Sequence, residues 1–428
     1  MKSPVVGFAG LTHLGINYAI ASAARGFQVV GYHDDSVMVA AMKDGVLPIQ
    51  EPQLPSLLAE HANRLKFVAS PQWFAECDIV YISADIPTDE SGVSDLDPIR
   101  RMIEAATANM RADALLVILC QVPPGFTRLV LWPASQLYYQ VETLIFGRAV
   151  ERAMHPERFI IGCAHPTQPI DARLLAYLQA FSCPVLNMRY ESAEFAKISI
   201  NMFLVASITT ANTLAELCEQ IGADWDEIVP ALRLDKRIGD YAYLSPGLGI
   251  AGGNLERDLS TVISYAKLKN TNEDVVSAWV AHSAYCKNWA WRKLNTLVLA
   301  QTPRPHIALL GLTYKEDTNS CKNSAALDLL GHLSDYSVTA FDPAAAPEVA
   351  GPNVLRTETA LEAMVGADVL LIMTAWPQFR TITPDQLMDR MVGRVVIDPY
   401  RMLDCADMNT NGFIYSALGK PVSLPVAL

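Results

Sequence analysis

The first part of the chain alternates short apolar runs with amphipathic helical patterns. Four nearly continuous apolar runs precede residue 121: PVVGFA, FQVVGYH, CDIVYIS and ALLVILC. Strands of a parallel sheet are buried on both faces, so they read as continuous apolar runs. Residues 4 to about 190 are therefore predicted to form an open, doubly wound α/β sheet.

The middle of the chain has helical periodicity instead. Residues 191–222 contain no proline, and we predict one long helix that ends at Gly222. Residues 274–300 predict a further helix of the same layer. From Pro305 the strand-helix alternation returns with PHIALLGL, SVTAFDP, DVLLIMT and RVVIDP. The predicted α/β fold thus has two doubly wound domains, 1–190 and 301–428, joined by a helical middle domain, 191–300.

Composition excludes several classes of protein. A chain of 428 residues predicts two or three domains, and 51% hydrophobic residues predict a large core. The net charge of -12 argues against nucleic acid as a partner, because binding phosphates needs clustered Lys and Arg. There is no run of about 18 uninterrupted apolar residues, so we expect no membrane span.

The N-terminal sequence and the cysteines predict a cytoplasmic location. The chain begins MKSP and runs directly into the apolar VVGFAG, which does not resemble a signal peptide. The eight cysteines are scattered without a Cys-x-x-Cys pair, as expected for buried thiols in a reducing cytoplasm. We predict no metal site.

The first strand is followed by GLTHLG, residues 10–15, which has the position of a dinucleotide-binding turn. In such turns glycines let a pyrophosphate approach the helix N-terminus. Thr12 replaces the middle glycine, so its Cβ would push the dinucleotide outward or its hydroxyl would bond a phosphate oxygen. The predicted cofactor contacts here are Gly10, Thr12, His13, Leu14 and Gly15.

The second strand ends GYHDD, where an acidic residue usually accepts hydrogen bonds from a ribose. His33 occupies that position, as a ligand contact or simply as a surface residue. A neutral imidazole would accept one hydrogen bond, and Asp35 would reach the ribose. The carboxylates of Asp34 and Asp35 disfavour a 2′-phosphate, so we predict NAD as the cofactor in preference to NADP.

Several longer stretches, in order along the chain, are similar to the UDP-glucose and GDP-mannose dehydrogenase family. They are MKDGVLPIQEPQLPSLLAEHANRLKF, DIPTDESGVSDLDPI (85–99), QVPPGFTRLV (121–130), HPERFIIG (155–162), GLTYKEDTNSCKNSAAL (311–327) and MTAWPQFR (373–380). The resemblance implies two Rossmann-like domains, for NAD and for the nucleotide sugar, joined by a long helix and paired as homodimers through the helical middle. It also implies oxidation of a sugar CH2OH group to a carboxylate in two hydride transfers, through a cysteine thioester.

The resemblance assigns roles to residues of the middle region. Lys197 and Asn201 match a helix pair that steadies the oxyanion, and their i, i+4 spacing directs both toward one spot. Asp258 matches an aspartate that orders the hydrolytic water. Glu142 falls at the position of a family glutamate, although VETLIFG keeps little of that motif.

Several positions depart from the family pattern, among them Gly253, where the family has a serine. Gln121 and Ile86 stand where the family has threonines near the water and the nicotinamide. Asn254, in PGLGIAGGNLERDL, occupies the position of the nucleophilic cysteine. An amide is a poor nucleophile, so the covalent step is not expected here.

The resemblance also implies contacts to the sugar nucleotide. Arg237 matches an arginine that reaches the substrate from the partner subunit, and Lys315 matches a lysine near the phosphates. Lys322 replaces an arginine and is either a phosphate contact or a solvated lysine. The remaining predicted substrate contacts are Tyr243, Leu244, Gly249 and Gly252.

Three functions remain open from the sequence. The first is a single two-electron oxidation, or its reverse, with Lys197 and Asn201 stabilising the alkoxide and Asp258 or Glu142 passing the proton. The second is a redox-neutral reaction with retained NAD, such as epimerisation or decarboxylation. The third is a non-catalytic binding protein, suggested by changes at positions that include Thr12, His33, Ile86, Gln121, Phe146 and Asn254.

Overall fold

A computed structural model of the chain describes residues 3–86, 94–167 and 169–425. The chain forms two compact units, Met1–Ile200 and Asn201–Leu428. The predicted division into three parts at residues 190 and 300 stays a prediction.

The first unit is built from strands and helices that alternate along the chain. Its strands are β1 Val5–Ala9, β2 Gln28–Tyr32, β3 Leu65–Val68, β4 Ile79–Ile82, β5 Leu115–Ile118, β6 Leu137–Gln140, β7 Phe159–Cys163 and β8 Val185–Arg189. Its helices are α1 His13–Ala24, α2 Ser36–Lys43, α3 Leu54–His61, α4 Asp97–Thr107, α5 Ala149–Met154 and α6 Ala172–Gln179.

These strands form one sheet in the order β3-β2-β1-β4-β5-β6-β7-β8. Neighbouring strands are parallel except β6 and β7, which are antiparallel. Successive residues of β4 and β5 pack into different core clusters, because side chains alternate between the two faces of a strand. Both faces of the sheet are therefore buried, which explains the continuous apolar runs and confirms the predicted α/β class.

The long predicted helix is present as α7, Tyr190–Ile221, and it contains the boundary between the two units. In the described part of the chain it is the one helix long and apolar enough to cross a membrane. Its most apolar window has a mean hydropathy of 1.4, and 33% of that window is buried within the protein. Long helices of soluble proteins have the same length and composition, so this property alone does not indicate a membrane span.

The second unit begins with helices and ends with a second sheet. Its helices are α8 Trp225–Leu234, α9 Asn254–Lys269, α10 Asp274–Lys287, α11 Trp289–Leu294, α12 Ala325–His332, α13 Ala360–Ala363, α14 Pro384–Arg390 and α15 Cys405–Thr410. Its strands are β9 His306–Leu310, β10 Ser337–Phe341, β11 Val354–Arg356, β12 Val369–Ile372, β13 Val395–Ile397 and β14 Ile414–Ser416.

The single helix predicted over residues 274–300 is divided in the structure. Asn288 separates α10 from α11, and a π-helical segment, Asn295–Leu299, follows. The Trp289 side chain is buried, and its indole N–H donates to Glu219 at 3.0 Å. Just after the break, Trp289 is thus attached to the long helix α7, a tertiary contact that sequence periodicity does not report.

The second sheet has the strand order β11-β10-β9-β12-β13-β14, and its neighbouring strands are all parallel. The strand order reverses between β9 and β12 here, and between β1 and β4 in the first sheet. Ligands of doubly wound sheets bind outside the carboxyl ends of the strands at such a switch point. The loops after β1 and β4, and after β9 and β12, are therefore the places to look for binding sites.

Candidate functional site

The turn after β1 has room only for glycine at both of its ends. Gly10 has φ +97°, and a Cβ added there would lie 2.7 Å from the Cβ of Ala84. A Cβ on Gly15 would lie 1.8 Å from the carbonyl oxygen of Gly10. Leu14 is buried in the core and fixes the start of α1. The first turn of α1 therefore offers backbone N–H groups and a positive helix end, which fit a dinucleotide pyrophosphate.

The middle residue of this turn has a contact that the sequence did not suggest. The Thr12 hydroxyl accepts a hydrogen bond from the backbone N–H of Asp85 at 2.9 Å. Asp85 lies just after β4, so this bond ties together the loops on the two sides of the switch point. Ile86, in the same loop, is buried. The Thr12 hydroxyl thus has a partner within the protein. Both predicted effects of Thr12, displacement of the dinucleotide by its Cβ and a hydrogen bond to a phosphate oxygen, stay predictions.

The end of β2 is held by its own side chains. Asp35 caps α2 by accepting from the backbone N–H groups of Val37 and Met38, at 2.8 and 3.1 Å. The backbone N–H of Asp35 donates to Nδ1 of His33 at 3.0 Å, which leaves the ring proton of a neutral His33 on Nε2. The carboxylate of Asp34 lies 3.2 Å from the same ring nitrogen, Nδ1. A contact between His33 and a ribose stays a prediction.

Glu142 and Lys197 form a partly buried ion pair in the first unit. Lys197 Nζ lies 2.8 Å from Glu142 Oε1, and the side chains are 13% and 17% exposed. The other oxygen of Glu142 accepts from the backbone N–H of Leu144 at 3.0 Å. A cation and a proton acceptor are therefore held side by side, the combination needed to remove the proton of a hydroxyl group and to stabilise the alkoxide that results.

One residue near this pair was missed in the sequence. The Glu194 side chain is buried and accepts from the backbone N–H groups of Gly125 and Thr127, the latter at 2.8 Å. Burial raises the pKa of this carboxyl above its ordinary value. These bonds hold the loop after β5, where the half-buried Gln121 lies. In the sequence, the signal that could have identified Glu194 was an acidic residue within a mostly apolar helix.

In the second unit, Asn201 and Asp258 are brought together. The Asn201 amide donates to Asp258 Oδ2, and Arg257 Nε lies 3.3 Å from Asp258 Oδ1. The Asp258 side chain is 1% exposed. An amide NH2 group carries two donors, so this bond engages one of them and orients the other. The predicted oxyanion donor and the predicted water-ordering carboxylate are therefore one connected pair.

The glycine-rich loop before α9 is held by residues that sequence reasoning missed. The backbone N–H of Gly247 donates to Asn212 at 2.8 Å, and that of Ile250 donates to Ser283 at 2.7 Å. Gly249 has φ +79°, and a Cβ there would lie 2.5 Å from the Ser283 carbonyl oxygen. The loop is thus a fixed structure that approaches its neighbours too closely for larger residues.

This loop ends at α9. A Cβ on Gly252 would lie 2.7 Å from the Tyr314 ring, and Gly253 has φ +109°. Asn254 is the first residue of α9, and its side chain is exposed. Any side chain placed at residue 254 therefore meets solvent and the positive end of a helix.

The predicted phosphate ligands fall into two groups. Lys322 lies against the loop, since its carbonyl oxygen accepts from the Gly252 N–H at 3.0 Å. Lys315 Nζ lies 6.0 Å from the centre of the Tyr314 ring, which contacts the same loop. Arg237 is instead 88% exposed and binds Asp235 through two hydrogen bonds. Lys315 and Lys322 therefore lie near the glycine-rich loop. The guanidinium of Arg237 lies at the surface.

The remaining predicted substrate contacts differ in exposure. Tyr243 is 48% exposed, whereas Leu244 is buried and its carbonyl oxygen accepts from the Trp225 indole at 2.7 Å. Within the described residues, no group of three or more His, Cys, Asp or Glu side chains is arranged to hold a metal ion.

Three domain models of one family match the chain. The NAD-binding domain of the UDP-glucose/GDP-mannose dehydrogenase family matches residues 4–177, its central domain residues 191–283, and its UDP-binding domain residues 308–405. Together they span most of the sequence.

Individual relatives agree with this. The UDP-glucose 6-dehydrogenase TuaD of Bacillus subtilis (strain 168) is 29% identical over 430 residues, covering 96% of this chain and 92% of that protein. A UDP-glucose 6-dehydrogenase of Pseudomonas aeruginosa is 29% identical over 439 residues, covering 96% of each.

Solved structures have the same fold. A UDP-glucose dehydrogenase from the archaeon Pyrobaculum islandicum matches with a TM-score of 0.82 and 26% identity, covering 98% of both chains. A UDP-D-ManNAc dehydrogenase from Pyrococcus horikoshii matches with a TM-score of 0.84 and 23% identity, covering 97% of this chain and 99% of that one. The protein belongs to the UDP-glucose/GDP-mannose dehydrogenase family, with an N-terminal Rossmann-like NAD-binding domain, a central helical domain and a C-terminal UDP-binding domain.

Proposed function

We propose that this protein uses NAD to carry out a single two-electron oxidation of a nucleotide sugar, or the reverse reduction, without a thioester intermediate. The observation that carries this proposal is Asn254, an exposed amide at the position that the family resemblance assigns to the nucleophile. The loop retains its glycines, and the α9 helix that follows it retains the buried Asp258. A site that binds the substrate and lacks the nucleophile is suited to one hydride transfer.

Cys286 and Cys321 of the second unit are poor replacements for the missing nucleophile. Burial raises the pKa of Cys286 to about 11 and also raises the pKa of Cys321 above the ordinary thiol value. The attacking form of a cysteine is the thiolate, so these groups are mostly unreactive at neutral pH.

The proposed chemistry uses the two pairs described above. Bound NAD supplies the hydride acceptor. The Lys197 ammonium stabilises the alkoxide as the substrate hydroxyl loses its proton, and Glu142 accepts that proton through water. Asn201 donates a further hydrogen bond to the oxyanion while Asp258 fixes the amide. Lys315 and Lys322 bind the phosphates of the nucleotide.

We expect one NADH for each sugar oxidised, with a carbonyl product. Purified protein is first screened by thermal shift with NAD, NADP and a panel of nucleotide sugars. A true ligand at a hundred times its Kd adds about 2.7 kcal/mol of stability. Sugars that stabilise the protein are then tested for NADH stoichiometry, with the products identified by mass spectrometry.

Two outcomes contradict this proposal. If the protein forms two NADH per sugar and a carboxylate product at an ordinary enzymatic rate, it carries out the four-electron reaction. Product formation with no net NADH would favour a redox-neutral reaction in which NAD is retained.

We also propose that the protein is a homodimer in the cytoplasm. Large apolar side chains of the second unit are exposed, including Phe203 at 78% and Tyr241 at 95%. Others are Leu217, Ile221, Leu234 and Ile238. A second copy of the chain would cover such a surface. All eight cysteines are free, as expected in a reducing compartment.

The substitution Phe203→Asp is expected to convert the dimer to a monomer, because a carboxylate cannot be buried in an apolar interface without a partner. Light scattering after gel filtration gives the mass. Val392→Asp is the control, since Val392 is 73% exposed in the same unit and lies outside this surface group. A wild-type protein that is already monomeric, or a Phe203→Asp protein that stays dimeric, would refute this arrangement.

A further inference from the structure

Glu51 is a buried carboxylate that joins three separated parts of the first unit. Its side chain is 1% exposed. Oε1 lies 2.7 Å from Nε2 of His13 and accepts from the backbone N–H of Gly147 at 2.9 Å. Oε2 accepts from the backbone N–H of Ala149 at 3.1 Å. Burying a carboxylate is costly, and these three donors offset the cost.

The donors belong to two functional segments. His13 is the first residue of α1, in the dinucleotide-binding turn. Gly147 and Ala149 end a short segment, residues 142–149, and Phe146 in that segment packs its ring 4.2 Å from the His13 ring. Glu51 therefore fixes the end of the segment against the cofactor turn.

The beginning of the same segment is Glu142, which pairs with Lys197 at 2.8 Å. The segment is thus held at one end by the proposed catalytic pair and at the other by Glu51. A shift of its far end would move Glu142, because few residues separate the two attachments.

We propose that Glu51 is a positioning residue, which couples NAD binding at the α1 turn to the geometry of the Glu142–Lys197 pair. It touches neither the cofactor nor the reacting atoms and acts through His13 and residues 147–149. This inference rests on the proposed function, since it assigns Glu142 to the reaction site. A purely structural anchor would stabilise the fold and leave NAD binding and Glu142 independent of each other.

The substitution Glu51→Gln tests whether Glu51 supports NAD binding. Glutamine keeps the size but turns one acceptor oxygen into an NH2 group that faces a backbone N–H. We expect the Kd for NAD, measured by calorimetry, to rise by about tenfold, because the α1 turn is no longer held by Glu51 in the geometry that binds NAD. Glu60→Gln is the matched control, because Glu60 on α3 loses the same charge at a side chain that is 70% exposed.

A double-mutant cycle tests the coupling. The Kd for NAD is measured for the wild type, Glu51→Gln, Glu142→Gln and the double variant. We expect the effect of Glu142→Gln to be at least about threefold smaller in the Glu51→Gln background, since coupled residues are non-additive. His13→Gln, which retains a side-chain donor, is expected to bind NAD better than His13→Leu.

The outcomes distinguish a coupling role of Glu51 from a purely structural one. Unchanged NAD affinity in Glu51→Gln, effects that multiply in the cycle, or equal binding by the two His13 variants would each overturn the coupling. If the wild-type protein does not bind NAD, both the proposed function and this inference are wrong. If Glu51→Gln fails to fold, the His13 variants, combined with Glu142→Gln, measure the same coupling.

Discussion

Replacement of Lys197 by methionine is expected to lower kcat for NADH formation by about 10³-fold, the upper range for loss of one oxyanion donor. Methionine keeps the length of the side chain and removes its charge. Without the ammonium, the alkoxide that precedes hydride transfer has lost its nearest cation. Glu142, which is 17% exposed, also loses the ammonium beside it, so the free energy of unfolding falls as well.

Two further variants separate catalysis from stability. Lys197→Met combined with Glu142→Gln removes both charges, so it is expected to recover much of the lost stability and none of the turnover. Lys267→Met removes a lysine that is 64% exposed on α9 and is expected to change neither property. Steady-state kinetics and urea unfolding measure the two effects. A Lys197→Met enzyme with more than a tenth of wild-type kcat would show that Lys197 has no part in the reaction.

Asn254→Cys is expected to create a reactive thiol without creating a four-electron dehydrogenase. Residue 254 is exposed at the first position of α9, and a helix N-terminus lowers the pKa of a thiol there. We therefore expect iodoacetamide to label this cysteine far faster than the buried thiols of the wild type. Mass spectrometry of the labelled protein gives the site and the rate.

Acid formation needs more than the thiol. Gly253 has φ +109°, a conformation that other residues rarely adopt, so the loop cannot readily accept the family's serine before the cysteine. Gln121 and Ile86 replace the threonines expected near the water and the nicotinamide. A reacting group misplaced by about 1 Å loses on the order of a hundredfold in rate. Two NADH per sugar and a trapped thioester in Asn254→Cys would show that the rest of the four-electron machinery is intact.

Much of the fold was readable from the sequence because burial leaves a strong pattern. The runs that became β1, β2, β4 and β5 are apolar on both faces, and α7 begins and ends within one residue of its predicted limits. Shorter strands such as β11 and β14 have only three residues each, which is too few to show a period.

Fewer features of the candidate site could be predicted from the sequence, because many of its contacts involve backbone groups. Glu51, Glu194 and Ser283 act through backbone groups far away in the chain, and a backbone N–H leaves no mark on the sequence. Thr12 was singled out in the sequence, but its partner, the Asp85 N–H, is known only once β1 and β4 are neighbours. The exposure of Asn254 likewise depends on tertiary structure.

The all-parallel order of the second sheet has a consequence for how the protein folds. Parallel neighbours cannot be joined by a hairpin, so each pairing waits for a crossover connection to form. At the centre of the sheet, β9 pairs with β12, and Ile307 is opposite Val369. These two strands, on either side of the switch point where a ligand site is expected, are thus brought together by closing a long loop, a slow step on the folding pathway. During synthesis, β9 must remain without one of its two neighbours until β12 has emerged from the ribosome.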